Sequence, residues 1–357
     1  MPGIVGFSGG IAAFFGVLLV LVLIHELGHF VTAKLAGVTV LEFGFGYPPR
    51  LFAIEYKGTD YSLNLLPLGG FVKLVGEEDP SQPGGLANRS IGIRLMVLGA
   101  GSFMNAVLPV VLLTATMMAP RETVVGLVLI QEVAVDSPAS MAGLQQGDIL
   151  RKINDREITN VRDVGYNIQL NLGSQIEVEV QRGDQTNVTR VVPRWNPPAG
   201  QGATGIVISM PELEQKTVSL PFPQALGAGL RGSLDMLSLF KNGIVSTVVA
   251  RSGPAVTGPI GIAQVTGEVA QAGVLPLLEW MALLSMNLAV MNILPIPMLD
   301  GGRVFFVLLE WVRRGRRIPA EKEGLVHLVG FVILMGLILI VSYYDVMRII
   351  RGENVFR

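Results

Sequence analysis

His25-Glu26-Leu27-Gly28-His29 places two imidazoles and a carboxylate within five residues. On a helix, residues four apart lie one turn above each other, so His25 and His29 can aim ring nitrogens at one point, with Glu26 beside them. That spacing suits a divalent metal with a neighbouring general base. The preceding run, Met1 to Ile24, has no charged side chain and is long enough to enter a bilayer. In hydrocarbon, His and Glu are costly and persist where they pair, line a wet cavity or bind something. The membrane setting therefore weighs against a chance H-E-x-x-H in a soluble helix.

A catalytic zinc needs three protein ligands and one open position for water. The chain has no cysteine, so nitrogen and oxygen must supply all of them. Asp300 is the best candidate for the third. It lies in Asn292-Ile293-Leu294-Pro295-Ile296-Pro297-Met298-Leu299-Asp300-Gly301-Gly302, where prolines free backbone groups and glycines permit close approach. The alternative for Asp300 is to cap the helix that follows, and the two roles are compatible. Zinc would bring the pKa of a bound water toward about 7. Glu26 would then take its proton and return it to a leaving amine, which is peptide hydrolysis. Gly99, Gly101, Ser102 and Asn105 give a second apolar stretch a small, polar face, suited first to close helix packing and also to a wet cavity. His327 stands alone near a helix end and reads as interfacial, not as a ligand.

These residues need a membrane scaffold to position them, and composition supplies one. Half of the 357 residues are hydrophobic, only 15% are charged, and the mean hydropathy is +0.53. The chain reads as a polytopic α-helical membrane protein. A formal charge of −1 offers no basic field for nucleic acid, so no nucleic-acid partner is expected. About 20 apolar residues cross a bilayer, which gives four spans: Phe7–Leu35, Leu95–Ala119, Leu277–Leu309 and Leu325–Tyr344. The first flows into the histidine motif without a small-residue cleavage site and reads as a retained helix. The third is interrupted by Pro295, Pro297 and Asp300. Irregular backbone at membrane depth survives only inside protein or beside water, so this break should face the bundle interior.

Between the second and third spans the pattern changes to short strands punctuated by Gly and Pro. Val124–Val133, Asp148–Ile153, Gln175–Gln181 and Val188–Val192 read as strands, and Ser137–Leu144 and Val161–Asn171 as helices. Residues 196–202 read as a loop. Beyond it, Leu226, Leu230, Leu234, Leu237 and Ile244 predict an amphipathic helix lying on the membrane face. Arg313, Arg314, Arg316, Arg317 and Lys322 follow the third span, and Arg50, Lys57, Lys73 and Arg89 follow the first. Basic loops accumulate on the cytoplasmic side. The soluble insert then faces outward and the metal lies toward the cytoplasmic leaflet, although Arg348, Arg351 and Arg357 in the outward tail run against the rule.

Tyr61 to Leu65 alternates apolar and polar residues, and Leu66-Pro67-Leu68-Gly69-Gly70 turns into Phe71-Val72-Lys73-Leu74. This predicts a hairpin in a cytoplasmic loop. A transmembrane helix cannot be cut while its amides are internally bonded, so a strand edge beside zinc would hold an unwound substrate as an added strand. An ordinary surface hairpin carries equal weight.

Taken together, the histidine motif at 25–29 and the Asn292, Pro295, Pro297, Asp300, Gly301 pattern resemble the site-2 protease family of intramembrane zinc metalloproteases, in the bacterial branch typified by the regulator-of-sigma-E protease. The resemblance implies that His25, His29 and Asp300 bind one Zn²⁺, that Glu26 is catalytic and that Asn292 contacts substrate backbone. It also implies that Gly69, Gly70 and Phe71 belong to a membrane-reentrant β-hairpin on the cytoplasmic side, and that Gly258-Pro259-Ile260-Gly261-Ile262 is the family's stretch before the third span. The insert resembles a single, circularly permuted α+β PDZ domain through Gly126-Leu127-Val128 and the run Ser137 to Leu150. A peptide groove would then lie at Gly126, Leu127 and Val128.

The expected division is 1–120 for the N-terminal membrane half, 121–211 for an extracytoplasmic PDZ domain, 212–275 for a membrane-surface segment and 276–357 for the C-terminal membrane half. Expected partners are single-span membrane protein substrates such as anti-sigma factors or remnant signal peptides, the lipid bilayer, and a peptide ligand of the PDZ domain. The expected location is a bacterial inner membrane. A non-catalytic adaptor with structural zinc is the rival reading, and intact Glu26 argues against it. A metal transporter would want repeated halves and ligands along a path, which the sequence lacks.

Overall fold

The computed structural model describes residues 2–351 except 78, 80 and 250–256, and gives the backbone alone for 2–9, 67 and 68. Arg357, counted above among the tail charges, lies outside the described residues. The chain divides into two compact units, Met1–Thr116 with Val256–Arg357, and Met117–Ala255.

The first unit begins with α1 (Pro2–Leu35), a long, continuously apolar helix that carries the histidine motif near its end. A hairpin of β1 (Val40–Tyr56) and β2 (Thr59–Leu74) follows. Its register shows that each strand serves twice. Phe43 lies opposite both Val72 and Tyr61, and Tyr61 lies opposite both Phe43 and Ile54. The hairpin thus folds into four side-by-side segments in the order 50–56, 59–64, 40–45 and 70–74. Gly70–Leu74 has β1 on one side only, leaving it an edge among the described residues.

Helix α2 (Ile91–Met118) packs closely on α1. A Cβ on Gly28 would sit 2.5 Å from the Ala100 carbonyl oxygen, so the helices meet where only glycine fits. Threonine hydroxyls in these spans bond back to the backbone one turn earlier, as an apolar surrounding favours. Thr32 Oγ1 donates to the Gly28 carbonyl at 2.7 Å, and Thr114 Oγ1 donates to that of Val110 at 2.6 Å.

The second unit contains β3 (Arg121–Val125), β4 (Val128–Val133), α3 (Pro138–Met141), β5 (Ile149–Ile153), β6 (Arg156–Glu157), α4 (Val161–Leu170), β7 (Ile176–Arg182), β8 (Gln185–Val191), β9 (Ile206–Ser209), β10 (Glu214–Val218) and α5 (Phe222–Val249). Its main sheet runs β8-β7-β5-β4-β9, with β6 paired to β5, while β3 pairs with β10. Alternation drives this sheet: Ile176, Val178 and Val180 of β7 turn into a core with Val128, Ile130, Leu150 and Val164, while Glu177 and Glu179 face out. Caps set the helix starts. The Ser137 hydroxyl accepts from the Ser140 amide at 3.1 Å, and Asn160 Oδ1 accepts from the Asp163 amide at 2.9 Å. The strand expected over Val124–Val133 is divided at Gly126, where a Cβ would collide with the Glu212 carbonyl.

Helix α5 contains the leucine pattern seen in the sequence, and Leu226, Leu230, Leu234, Leu237 and Ile244 are exposed. Its opposite, polar face packs within this unit. Asp235 accepts from Arg156 at 2.6 and 2.7 Å and from the Tyr166 hydroxyl at 3.0 Å, and Asn242 Nδ2 donates to the Gln169 and Leu170 carbonyls. The expected segment 212–275 is therefore divided, α5 belonging to the second unit and the next helix to the first.

That helix, α6 (Pro259–Ala272), touches α1 where Gly10 and Gly267 face each other. Then come α7 (Val274–Ile293), α8 (Asp300–Val312) and α9 (Ala320–Ile350). Four stretches are long and apolar enough to cross a membrane: Gly10–Leu35, Ile91–Met118, Val274–Ile293 and Ala320–Ile350. The third is shorter than the expected Leu277–Leu309. Pro295 and Pro297 lack amide donors, so α7 ends at Ile293 and the chain restarts as a separate helix at Asp300.

One prediction concerns the second unit. Burial alone would raise the Asp148 carboxyl, but Arg182, bonded to it at 2.7 and 2.8 Å, and the Gln145 amide hold it below the usual carboxylate range. A depressed folded value means the bridge stabilises above the unfolded carboxylate's pKa, near 3.9, and that this is lost as pH falls through the folded value. Arg182 is part-exposed, so Asp148→Asn should cost only about 1 kcal/mol. Amide exchange over 144–182 in the full chain should be faster in the variant near neutral pH, and the difference should vanish in strong acid.

Candidate metal centre

Three donor atoms from two distant parts of the first unit converge. His25 Nε2 lies 2.9 Å from Asp300 Oδ2, His29 Nε2 lies 3.2 Å from the same oxygen, and the two ring nitrogens are 3.2 Å apart. Among the described residues, these three form the metal-competent cluster of His, Asp and Glu side chains. Both rings are buried.

The surroundings fix which ring nitrogens are free. His29 Nδ1 is 2.8 Å from the Val97 carbonyl, which can only accept, so the ring donates there and Nε2 keeps its lone pair. His25 Nδ1 lies 3.2 Å from the Asn105 amide, whose Oδ1 is buried without a partner. Turning that amide over lets Oδ1 accept from Nδ1–H. Asn105 is itself anchored, its carbonyl accepting from Ser285 Oγ at 2.8 Å.

Two lone pairs and a carboxylate oxygen then face one another with no donor among them. Ligands about 2.0–2.1 Å from a tetrahedral zinc stand roughly 3.3 Å apart, within a few tenths of an ångström of the separations here. The donor set and its spacing fit zinc.

Gly101 of α2 explains part of the small, polar face read from the sequence. A Cβ there would collide with His29 Nε2 and lie 2.7 Å from His25 Nε2, so glycine leaves the space in front of the rings. Gly99 faces open space and carries no such constraint. Asp300 is the first residue of α8, and Leu299 holds the capping position without a side-chain bond. The Asp300 carboxylate therefore does not cap; it turns to the histidines. Gly301 and Gly302 let α8 start hard against the preceding turn: a Cβ on Gly302 would lie 2.6 Å from the Ile296 carbonyl oxygen, and one on Gly301 would collide with that of Leu294.

A cavity of about 280 Å³ adjoins the cluster, bounded by Glu26, His29 and Asp300 from the helices and by Gly70, Phe71 and Val72 from β2. Glu26 is close to the strand edge, since a Cβ on Gly70 would lie 3.0 Å from Glu26 Cγ. Gly69 is next to the Tyr47 ring instead, and Asn292, half-buried in the last turn of α7, does not line this cavity. Tyr47, Glu77, Met298 and Arg303 do line it and went unread in the sequence. Arg303 was legible in principle, being three residues after Asp300 and so on the same helix face. Its guanidinium pairs closely with Glu77.

The strand pairing places the residues expected at a groove, Gly126, Leu127 and Val128, at the start of β4. Val128 is fully buried and pairs with Leu150, and β4 has β5 on one side and β9 on the other. The Gly126 amide donates to the Thr159 carbonyl at 2.9 Å. Gly126 also borders a cavity of about 490 Å³ with Val125, Ile158 and Thr159.

A bundle of apolar helices holding a His, His, Asp cluster with a glutamate in the adjoining cavity defines a multi-pass membrane metallohydrolase. The comparisons name its family. The profile of peptidase family M50 matches residues 13–337. The chain is 37% identical over 334 residues to a Clostridium perfringens protein with a provisional zinc metalloprotease name, covering 91% of this chain and 95% of that one. It is 29% identical to zinc metalloprotease RasP of Oceanobacillus iheyensis, covering 92% and 97%. It is 31% identical to the chloroplastic membrane metalloprotease ARASP of Arabidopsis thaliana, covering 91% and 76%. The chain belongs to peptidase family M50, the site-2 protease family, and is a zinc metalloprotease.

The packing at Gly101 yields a direct expectation. Gly101→Ala should displace the imidazoles and weaken zinc binding by about tenfold or more, measured as metal retained against a chelator, while the helices still assemble.

Proposed function

We propose that this enzyme hydrolyses peptide bonds within the transmembrane segments of single-span membrane proteins, in regulated intramembrane proteolysis. The observation that carries this reading is the strand edge Gly70–Leu74, which bounds the same cavity as Glu26, His29 and Asp300. A substrate helix must give up its internal amide bonds before hydrolysis, and an open edge supplies replacements. Gly70 lets that strand approach Glu26, because any larger side chain would fill the gap between them.

His25, His29 and Asp300 would hold the metal. When bound, zinc supplies Lewis acidity toward a water and toward the scissile carbonyl. The chain's own residues do the rest. Val97 and Asn105 hold the two rings in the tautomers that present Nε2, and Glu26 stands in the cavity as the base that accepts a proton and later delivers it to the leaving amine. Arg303 and Glu77 close a further part of the cavity as an ion pair. Asn292, at the end of α7, is suited to steady substrate backbone on its way to the edge.

On this reading the β1–β2 sheet is the reentrant element, and the metal lies toward the cytoplasmic side of a bacterial inner membrane. The second unit is an extracytoplasmic PDZ-like domain. Support for it comes from the Ser137 to Leu150 run, which forms a capped helix leading into β5 beneath a buried Val128–Ile130 strand. Anti-sigma factors and remnant signal peptides are the proposed substrate class.

Glu26→Gln should keep its zinc and lose cleavage of a single-span substrate in detergent by at least about a hundredfold. Turnover surviving in that variant would remove Glu26 from the chemistry.

A further inference from the structure

We propose that His327, on the fourth span, is a positioning residue for the metal centre: it holds the backbone at Met298 so that the turn between α7 and α8 delivers Asp300. This rests on the reading that Asp300 ligates zinc. The turn has little to hold it. Pro295 and Pro297 have no amide hydrogen, and its own backbone bonds are few, from Ile296 to the Leu294 carbonyl and from Leu299 to that of Ile296. Met298 adopts φ +80°, a left-handed conformation that a residue with a side chain enters only where its surroundings impose it.

One contact imposes it. The Met298 amide donates to His327 Nδ1 at 2.8 Å, and on the other side of the ring Nε2 lies 4.0 Å from Glu323, one turn earlier on α9. His327 is fixed in turn. Its ring lies 5.6 Å from that of Phe306 on α8, and a Cβ on Gly302 would approach its Cε1 to 3.2 Å. Three residues along α9, Gly330 leaves space that Pro297 occupies. So α9 meets the turn at two successive points, and Met298 is two residues from the carboxylate that must lie within about 3 Å of both imidazoles.

The test uses the purified full-length protein in detergent, as wild type and as His327→Phe, His327→Asn and Asp300→Ala. Phe matches the ring's bulk without an acceptor, and Asn can place its Oδ1 near the position of Nδ1. Zinc dissociation constants come from chelator competition, and the visible spectrum of the cobalt-substituted protein reports ligand geometry. His327→Phe should weaken zinc by about ten- to a hundredfold and shift the cobalt bands. His327→Asn should restore most of both. The Met298 amide of the wild type should also exchange slowly with solvent.

Wild-type zinc affinity and cobalt bands in His327→Phe would overturn the proposal, as would an Asn variant no better than Phe or a freely exchanging Met298 amide. Asp300→Ala separates the two readings. Unchanged affinity there removes Asp300 from the ligand set, and the inference with it. Weakened affinity there beside an intact His327→Phe removes the inference alone.

Discussion

Three electron-pair donors held against one another in an apolar bundle set the terms for the rest of this molecule. His25, His29 and Asp300 meet within about 3 Å, and with both Nδ1 atoms carrying the ring proton no hydrogen-bond donor lies between them. Such a cluster is unfavourable on its own in hydrocarbon and becomes favourable around a cation. Holding it requires glycine at 101 to clear the space before the rings and glycine at 28 to bring α2 close enough to face them. It also requires acceptors behind the rings, which α2 provides through the Val97 carbonyl and Asn105. A single helix thus gives both the room and the orientation.

The broken helix answers a second demand. A carboxylate at membrane depth has to reach inward without leaving bare backbone amides in lipid. Two prolines remove amides that would otherwise be unsatisfied, and the glycines after Asp300 let α8 begin directly against the turn. The β1–β2 sheet meets the opposite need, since it keeps one strand edge exposed beside the cavity. Helices that satisfy themselves and a sheet edge that does not are complementary parts in the proposed cleavage of helical substrates.

The residues of the metal-competent cluster could be read in the sequence because their chemistry is local or tied to a rare pattern. The spacing of His25 and His29 is one helical turn, and Asp300 is marked by the prolines and glycines around it. The apolar runs gave four spans for the same reason, that length and hydropathy depend on nothing distant. What stayed hidden depended on long-range pairing. The sheet order, which sets β4 between β5 and β9, cannot be found in the residues of β4. The doubling of the hairpin into four segments was equally hidden, because Phe43 carries no mark of having partners on both sides. His327 looked interfacial because its partner is a backbone amide 29 residues away in sequence, on Met298. Leucines on α5 were visible as a stripe, whereas Asp235 and Asn242 on its other face became meaningful only once α4 was beside them.

X-ray absorption at the zinc edge of the full-length protein, compared between wild type and Asp300→Asn, tests the central claim most directly. The account predicts two imidazole nitrogens and carboxylate oxygen at about 2.0–2.2 Å in the wild type, with the oxygen contribution altered in the variant. A shell containing fewer than two imidazoles, or one identical in both proteins, would contradict it.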